Sequence, residues 1–256
     1  MNNQIPTKRV KSDGDTLLIH SIFHTIQGEG PFTGVPAVFV RLGGCNLQCP
    51  GCDTEYTKGT ETMAMGTIVN NINYKLDGNT TTKLIVITGG EPFRQNISEL
   101  CNVLNIHGFE VQIETNGVMA PQGDFDTWPT IICSPKTTKL NPKLLPHITA
   151  FKYVANWQEV NEHDGLPLTA LNHQATPQLA RPPEDFDGDV YLQPMDMTEY
   201  YDEDIEGSLE EQSVWAEQLD GLVESHNQAN LDFVVKSCMQ HGYTIQLQIH
   251  KLLNLE

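Results

Sequence analysis

Five apolar runs of this chain end in short polar stretches that plain strand ends do not carry. "PAVFVRL" (36–42) runs into "GGC", "KLIVITGG" (83–90) into "TGGEP" (88–92), and "FEVQIETNG" (109–117) closes on "ETNG". "TIICSP" (130–135) leads into "SPK", and "DVYLQPM" (189–195) into "QPMD". Helical spacing separates some of these runs: Ile68, Ile72 and Leu76 share one face of 65–76, and 97–108 reads as a helix stopped by Gly108. "LLIHSIF" (17–23), "HITAFKYV" (147–154) and "YTIQLQIH" (243–250) read as further strands, and "SLEE" (208–211) opens a long helical region with Ser208 and Glu211 in capping-box relation. Strands alternating with helices make parallel βαβ units, hence an α/β barrel or open sheet. Ligands of such folds bind at the carboxyl edge of the strands, so five unusual strand ends predict one large site. There is no internal repeat.

The bulk numbers limit what that site can serve. With 256 residues and no sharp composition break, the expectation is a single domain over 1–256, with residues 1–16 as a loose tail. The opening segment is polar, without the apolar core of a signal peptide, and no apolar run approaches the roughly 20 residues that span a bilayer. Six cysteines in 256 residues are no disulfide scaffold, and a reducing cytoplasm fits them. A net charge of −18 argues against a nucleic-acid surface, which needs clustered Lys and Arg. The acid is concentrated: 18 of the 33 Asp and Glu lie between Asn156 and Glu224, where Arg181 is the only Lys or Arg. The stretches at about 156–188 and 199–207 therefore read as a solvated, insert-like region, or as a docking surface for a basic partner.

Cys45, Cys49 and Cys52 are clustered in "GGCNLQCPGCDT" (43–54). A structural zinc takes four ligands, and no fourth is near: His24 lies upstream and Cys101 on a predicted helix. Three thiolates on a short loop suit a 4Fe–4S cluster whose fourth iron stays open. Cys101, Cys133 and Cys238 read as small buried hydrophobes.

C-x3-C-x2-C after a strand resembles the cluster loop of radical S-adenosylmethionine (SAM) enzymes, and "TGGEP" strengthens the match. "TIQGEGPFTGVPAVFVRLGGCNLQCPGCDTEYT" (25–57), "ETNG", "SPK", "QPMD" and the closing "QLQIHKLLNLE" narrow it. In this order they resemble the 7-carboxy-7-deazaguanine synthase family, from about Leu18 to the C-terminus. The resemblance implies a shortened radical SAM partial (β/α) barrel with a mostly parallel sheet. It implies a lyase that turns 6-carboxy-5,6,7,8-tetrahydropterin into 7-carboxy-7-deazaguanine with release of ammonia, for deazapurine (queuosine-type) biosynthesis. SAM, a 4Fe–4S cluster and Mg²⁺ would be cofactors, and a homodimer and an electron donor such as a flavodoxin the partners. A glycyl-radical-enzyme activase shares the cysteine spacing, but "QGEGPFTGVPAVFVRL" favours a small substrate. An iron–sulfur electron carrier would close all four irons.

Residue by residue, the resemblance implies Cys45, Cys49 and Cys52 as cluster ligands and Thr54 as a ligand of Mg²⁺, an ion that commonly takes one or two protein oxygens plus substrate. Thr54 also has an ordinary reading, closing a backbone group in the loop. Ile26, Gln27, Gly28, Glu29, Arg41 and Thr88 match substrate positions. Arg41 suits a carboxylate, which a guanidinium grips with two charge-assisted bonds. Glu29 is either an acceptor for pterin N–H groups or a loop carboxylate. SAM positions are Gly51 and Asp53 beside Cys52, Gly90 and Glu91 in "TGGEP", Glu114 in "ETNG", Ser134, Pro135 and Lys136, then Gln193, Pro194, Met195 and Asp196. Glu91 suits the methionyl ammonium. Asp196 suits a ribose hydroxyl or a helix cap.

Overall fold

A computed structural model describes residues 2–171, 178–198, 209–253 and 255. Its centre is a nine-stranded sheet in the order β3-β1-β2-β4-β5-β6-β7-β8-β9. β1 (Thr16–Ile26) pairs antiparallel with β2 (Pro36–Leu42) and with β3 (Glu61–Ala64). From β2 onward every pairing is parallel, through β4 (Leu84–Gly89), β5 (Glu110–Thr115), β6 (Thr130–Cys133), β7 (Ala150–Ala155), β8 (Asp189–Pro194) and β9 (Thr244–Ile245).

β4 shows why the central strands are parallel and deep. Ile85, Val86 and Ile87 are all buried, so both faces are covered and the run is continuous rather than alternating. One cover is α1 (Met65–Leu76), which turns Ile68, Val69, Ile72 and Leu76 inward, as the 3.6-residue spacing predicts. α2 (Ser98–Ile106) adds Leu100, Cys101 and Leu104 to the same core. Truncating Ile72 there would cost about 2–5 kcal/mol. Full crossover helices are fewer than the alternation suggests. β5 reaches β6 without a helix, and β6 reaches β7 through one 3-10 turn at Leu145–His147. The long helix α3 (Leu209–His241) follows β8 and buries Val234 and Cys238. Cys101, Cys133 and Cys238 are all buried, as their apolar surroundings predict.

Three expectations need correction. The strand predicted over 243–250 is only Thr244–Ile245, and the chain then turns into the short α4 (Ile249–Leu252). The alternation fails because Gln246 faces inward: its Oε1 accepts from Gly30 N at 2.7 Å and its Nε2 donates to Gly28 O at 3.0 Å. Residues 2–10 are not a loose tail. Asn2 N donates to Pro50 O at 2.9 Å, Thr7 N to Cys45 O at 2.7 Å and Val10 N to Arg94 O at 2.8 Å, so the segment is strapped along the cysteine loop. Nor is 156–188 only a solvated insert. Leu166, Ala170 and Leu179 are buried, and Arg181 is held by Asp164 at 2.8 Å and by the carbonyls of Leu166 and Pro167. Ser208 of the expected capping box, and the stretch 199–207, lie outside the described residues.

Candidate active site

The carboxyl ends of β2 and β4 are pressed together at backbone distance. A Cβ on Gly89 would stand 2.3 Å from Leu42 O, and one on Gly90 2.1 Å from Gly44 O. Only glycine allows this approach, and at Gly89, where φ is +121°, also this backbone. Glu91 N then donates to Gly44 O at 3.1 Å, so "TGGEP" is stitched to "GGC". The Glu91 carboxylate does the same for "ETNG". It accepts from Thr115 Oγ1 at 2.7 Å, Asn116 N at 2.8 Å and Phe93 N at 3.0 Å. Burial pushes its pKa up despite these bonds. Both Glu91 oxygens are therefore occupied beneath the site. Glu91 thus acts as a buttress that ties three strand ends together.

Above these contacts lies a cavity of about 410 Å³, within the range of small-molecule sites. Its wall brings together Ile26, Gln27, Gly28 and Glu29 after β1, Arg41 of β2 and Thr88 of β4. Arg41 and Thr88 are register partners on neighbouring strands. Gly51, Asp53 and Thr54 enter from the cysteine loop, Glu114 from β5, Ser134 and Lys136 after β6. Gln193, Met195 and Asp196 come from the end of β8. Of the expected residues, Gly90, Glu91, Pro135 and Pro194 do not line this cavity; they shape the strand ends behind it.

Sequence reasoning missed Lys152 and the closing segment. Lys152 sits mid-strand in β7, ion-paired to Glu29 Oε2 and 3.5 Å from Glu114 Oε2. Burial disfavours its charge, but the two carboxylates outweigh that and raise its pKa. Burial likewise pushes Glu29 up, and Lys152 overcomes it, leaving the carboxyl below its usual range. Gln248 Nε2 donates to Glu29 Oε1 at 2.9 Å, and Gln27 Nε2 to Glu114 Oε1 at 2.9 Å. A lone lysine inside the apolar run "AFKYV" was the available signal. Gln248, His250, Lys251 and Leu255 close the cavity from the chain's end. Lys251 Nζ donates to Asp196 Oδ2 at 3.0 Å, while Asp196 Oδ1 accepts from Thr198 N at 3.0 Å, so Asp196 both caps the turn and pairs.

Two polar groups of the wall stand apart. Arg41 Nε and Gln193 Oε1 are buried without a hydrogen-bond partner among the described residues. Arg41 lies over the Phe23 ring at 5.2 Å and makes no ion pair among the described residues.

Beside the cavity Cys45, Cys49 and Cys52 are free thiols close enough to influence one another. Burial pushes Cys45 up to about 12 and Cys52 to about 11, while Lys136 lowers Cys49 and Cys52. Among the described residues no three His, Cys, Asp or Glu side chains converge on one ion. Three separate, unpaired thiols beside a lysine fit a cluster, whose irons take one thiolate each and whose charge offsets their burial.

Residues 26–118 match a 4Fe–4S single cluster domain. The crystal structure of QueE from Escherichia coli superposes with a TM-score of 0.62 at 22% identity, covering 91% of this chain and 94% of that one. Fold and cysteine loop thus define an iron–sulfur α/β protein on the same partial-barrel fold. Among relatives, 7-carboxy-7-deazaguanine synthase of Rhodospirillum rubrum is 36% identical over 244 residues, 95% of this chain and 94% of its own. That of Rickettsia prowazekii is 33% identical over 255 residues, 96% and 92% of the two chains. This chain belongs to the 7-carboxy-7-deazaguanine synthase family. It is a radical SAM lyase with a 4Fe–4S cluster and SAM as cofactors, and the activase and electron-carrier readings are not favoured. Among the described residues no helix is long and apolar enough to cross a membrane.

Proposed function

We propose that the chain converts 6-carboxy-5,6,7,8-tetrahydropterin to 7-carboxy-7-deazaguanine with release of ammonia, in a deazapurine pathway. The observation that carries the substrate assignment is the contrast between two cations of the cavity wall, the buried Lys152 and the half-buried Arg41. Lys152 is neutralised by Glu29 and Glu114, whereas Arg41 faces the same cavity with no carboxylate among the described residues. An unneutralised guanidinium is a site for the substrate's carboxylate. Glu29 and Glu114, fixed by Lys152, Gln27 and Gln248, are acceptors set to receive N–H groups of a pterin.

Cys45, Cys49 and Cys52 would hold three irons, and Gly51, Asp53, Ser134, Lys136, Gln193, Met195 and Asp196 the SAM beside them. When bound, cluster and SAM supply one-electron chemistry and hydrogen-atom abstraction. Thr54 would give one oxygen to Mg²⁺. Its hydroxyl faces the cavity and donates to Asp53 Oδ1 at 3.1 Å, a bond that a metal would replace. A cytoplasmic location, a homodimer and a one-electron donor such as a flavodoxin complete this reading. They rest on the family pattern and on the need for an outside electron.

The test is an anaerobic assay of the reconstituted chain with the tetrahydropterin carboxylate. Removing one partner of a desolvated charge pair costs about 2–5 kcal/mol, so Arg41→Ala raises KM for the pterin by roughly 30-fold or more and leaves SAM affinity nearly unchanged. Equal losses for both ligands would refute the carboxylate role.

A further inference from the structure

The cysteine loop has a cation of its own. Arg94 follows "TGGEP" in a 3-10 turn, Pro92–Arg94, and is 4% exposed. Its Nη1 donates to Lys8 O at 3.1 Å and its Nη2 to Gly43 O at 2.6 Å. Its Nε has no acceptor among the described residues. No carboxylate among the described residues pairs with it, unlike Arg181 with Asp164 or Lys152 with Glu29. A buried charge without a counter-charge is expensive. A fold that keeps one needs a partner for it.

The surroundings point to that partner. A Cβ on Gly44 would stand 2.8 Å from both Arg94 Cζ and Nε and 2.7 Å from Thr7 Oγ1. The guanidinium therefore lies against Gly44, one residue before Cys45; burial disfavours its charge, and an ionised Cys45 sulfur would favour it. The N-terminal segment lies beside it along the same loop. Thr7 N donates to Cys45 O at 2.7 Å, Asn2 Nδ2 to Cys49 O at 3.1 Å and Gln4 Nε2 to Thr54 O at 2.8 Å. Arg94 fastens that segment at both ends of its own residue, through Lys8 O and through its carbonyl to Val10 N.

We propose that Arg94 is a positioning residue of the cluster: it supplies the fixed positive charge that favours the reduced state, acting through Cys45, and it pins residues 2–10 across the loop. The proposal rests on Cys45 being a ligand. Reduction adds one electron, breaks no bond and makes the centre more negative by one charge. A cation held beside a ligand thiolate stabilises the reduced form more than the oxidised one. Net charge and hydrogen bonding around the sulfurs are among the levers that set a cluster's potential. Arg94 does not line the cavity, so its effect falls on the potential and not on pterin affinity.

The experiment is a redox titration of the reconstituted full chain, followed by EPR of the reduced cluster, with iron counted per chain. Dithionite is the electron source and is oxidised to sulfite. Arg94→Met is expected to load iron and to shift the midpoint to a more negative potential, so that a smaller fraction is reduced at a given dithionite poise. Arg94→Lys keeps the charge while losing the fork that bridges two carbonyls, and is expected to stay near the wild-type midpoint. A fully loaded Arg94→Met with the wild-type midpoint overturns the proposal. If Arg94→Met fails to fold, Arg94→Lys decides: an unshifted midpoint supports the proposal, and a clear fall overturns it. Should Cys45→Ala still load a full cluster, the ligand reading is at fault, and the proposal, which rests on it, falls with it.

Discussion

The two ends of the cavity are built by different means. At the cluster end, β2 and β4 meet through main chain: Gly89 and Gly90 touch Leu42 and Gly44 with no side chain between them. At the closing end, β8 and β9 share only two register pairs, Tyr191 with Thr244 and Leu192 with Ile245. Buried amides hold that end instead. Gln246 spans to Gly28 and Gly30, and Asn230 Nδ2 donates to Met195 O at 2.7 Å. Main-chain contact leaves no slack, because a glycine either fits or does not. Side-chain amides tolerate small shifts. The difference teaches where rigidity is needed: the cysteine loop is anchored at the fixed end, and the chain's closing segment packs at the end that can relax.

That contrast can be broken from the cluster outward. The largest effect is expected from Cys45→Ala, Cys49→Ala or Cys52→Ala, each of which should abolish the brown chromophore and all turnover, read by absorbance and an anaerobic assay. Cys101→Ala should do neither, since Cys101 is packed in the core on α2. Next comes Gly90→Ala, which drives a methyl into Gly44 O. Overpacking of this kind costs about 1–3 kcal/mol or more, and here both neighbours are main chain. A lower melting temperature together with lower iron content is expected; normal iron uptake would show that the cluster end has slack after all.

Gln246→Leu sharpens the comparison from the other side. It strands Gly30 N–H in a buried place, at about 1–3 kcal/mol. Pterin KM should rise while iron content stays normal, which separates the two ends in one variant. The smallest effect belongs to Asp196. Burial raises its pKa, but bonds from Thr198 and the Lys251 charge outweigh this and bring it to about 2. A depressed carboxyl stabilises the fold above its unfolded value, about 3.9, and that contribution disappears as pH falls through 2. Melting curves of Asp196→Asn should therefore lose a slight acid sensitivity between about pH 4 and 2, with little change at neutral pH.

The same division explains what the sequence disclosed. The cluster end was legible because its geometry demands particular residues at fixed spacing. Glycine at 89 and 90, three cysteines in 45–52 and the apolar runs of β2 and β4 admit few substitutes. α1 falls on Met65–Leu76, where the spacing of Ile68, Ile72 and Leu76 put it. The rest was hidden for a physical reason. Asn2, Gln4, Gln246 and Gln248 work by reaching carbonyls, amides or carboxylates far along the chain, and an amide side chain looks the same in a loop as in a buried bond. Glu91 was half legible for a related reason: its motif position is fixed, but only the fold shows that it ties Thr115, Asn116 and Phe93 together. Lys152 alone offered a hint, as a charge inside an apolar strand.

The strap over the cysteine loop has a consequence in time. Its residues leave the ribosome first, yet Arg94 lies 86 positions after the Lys8 carbonyl it grips. At about 5–20 residues per second, roughly 4 to 17 s pass before that clasp can exist. Through this interval the strap along the newly made loop lacks its Arg94 clasp. The loop is thus unclasped in the growing chain and fastened in the finished protein.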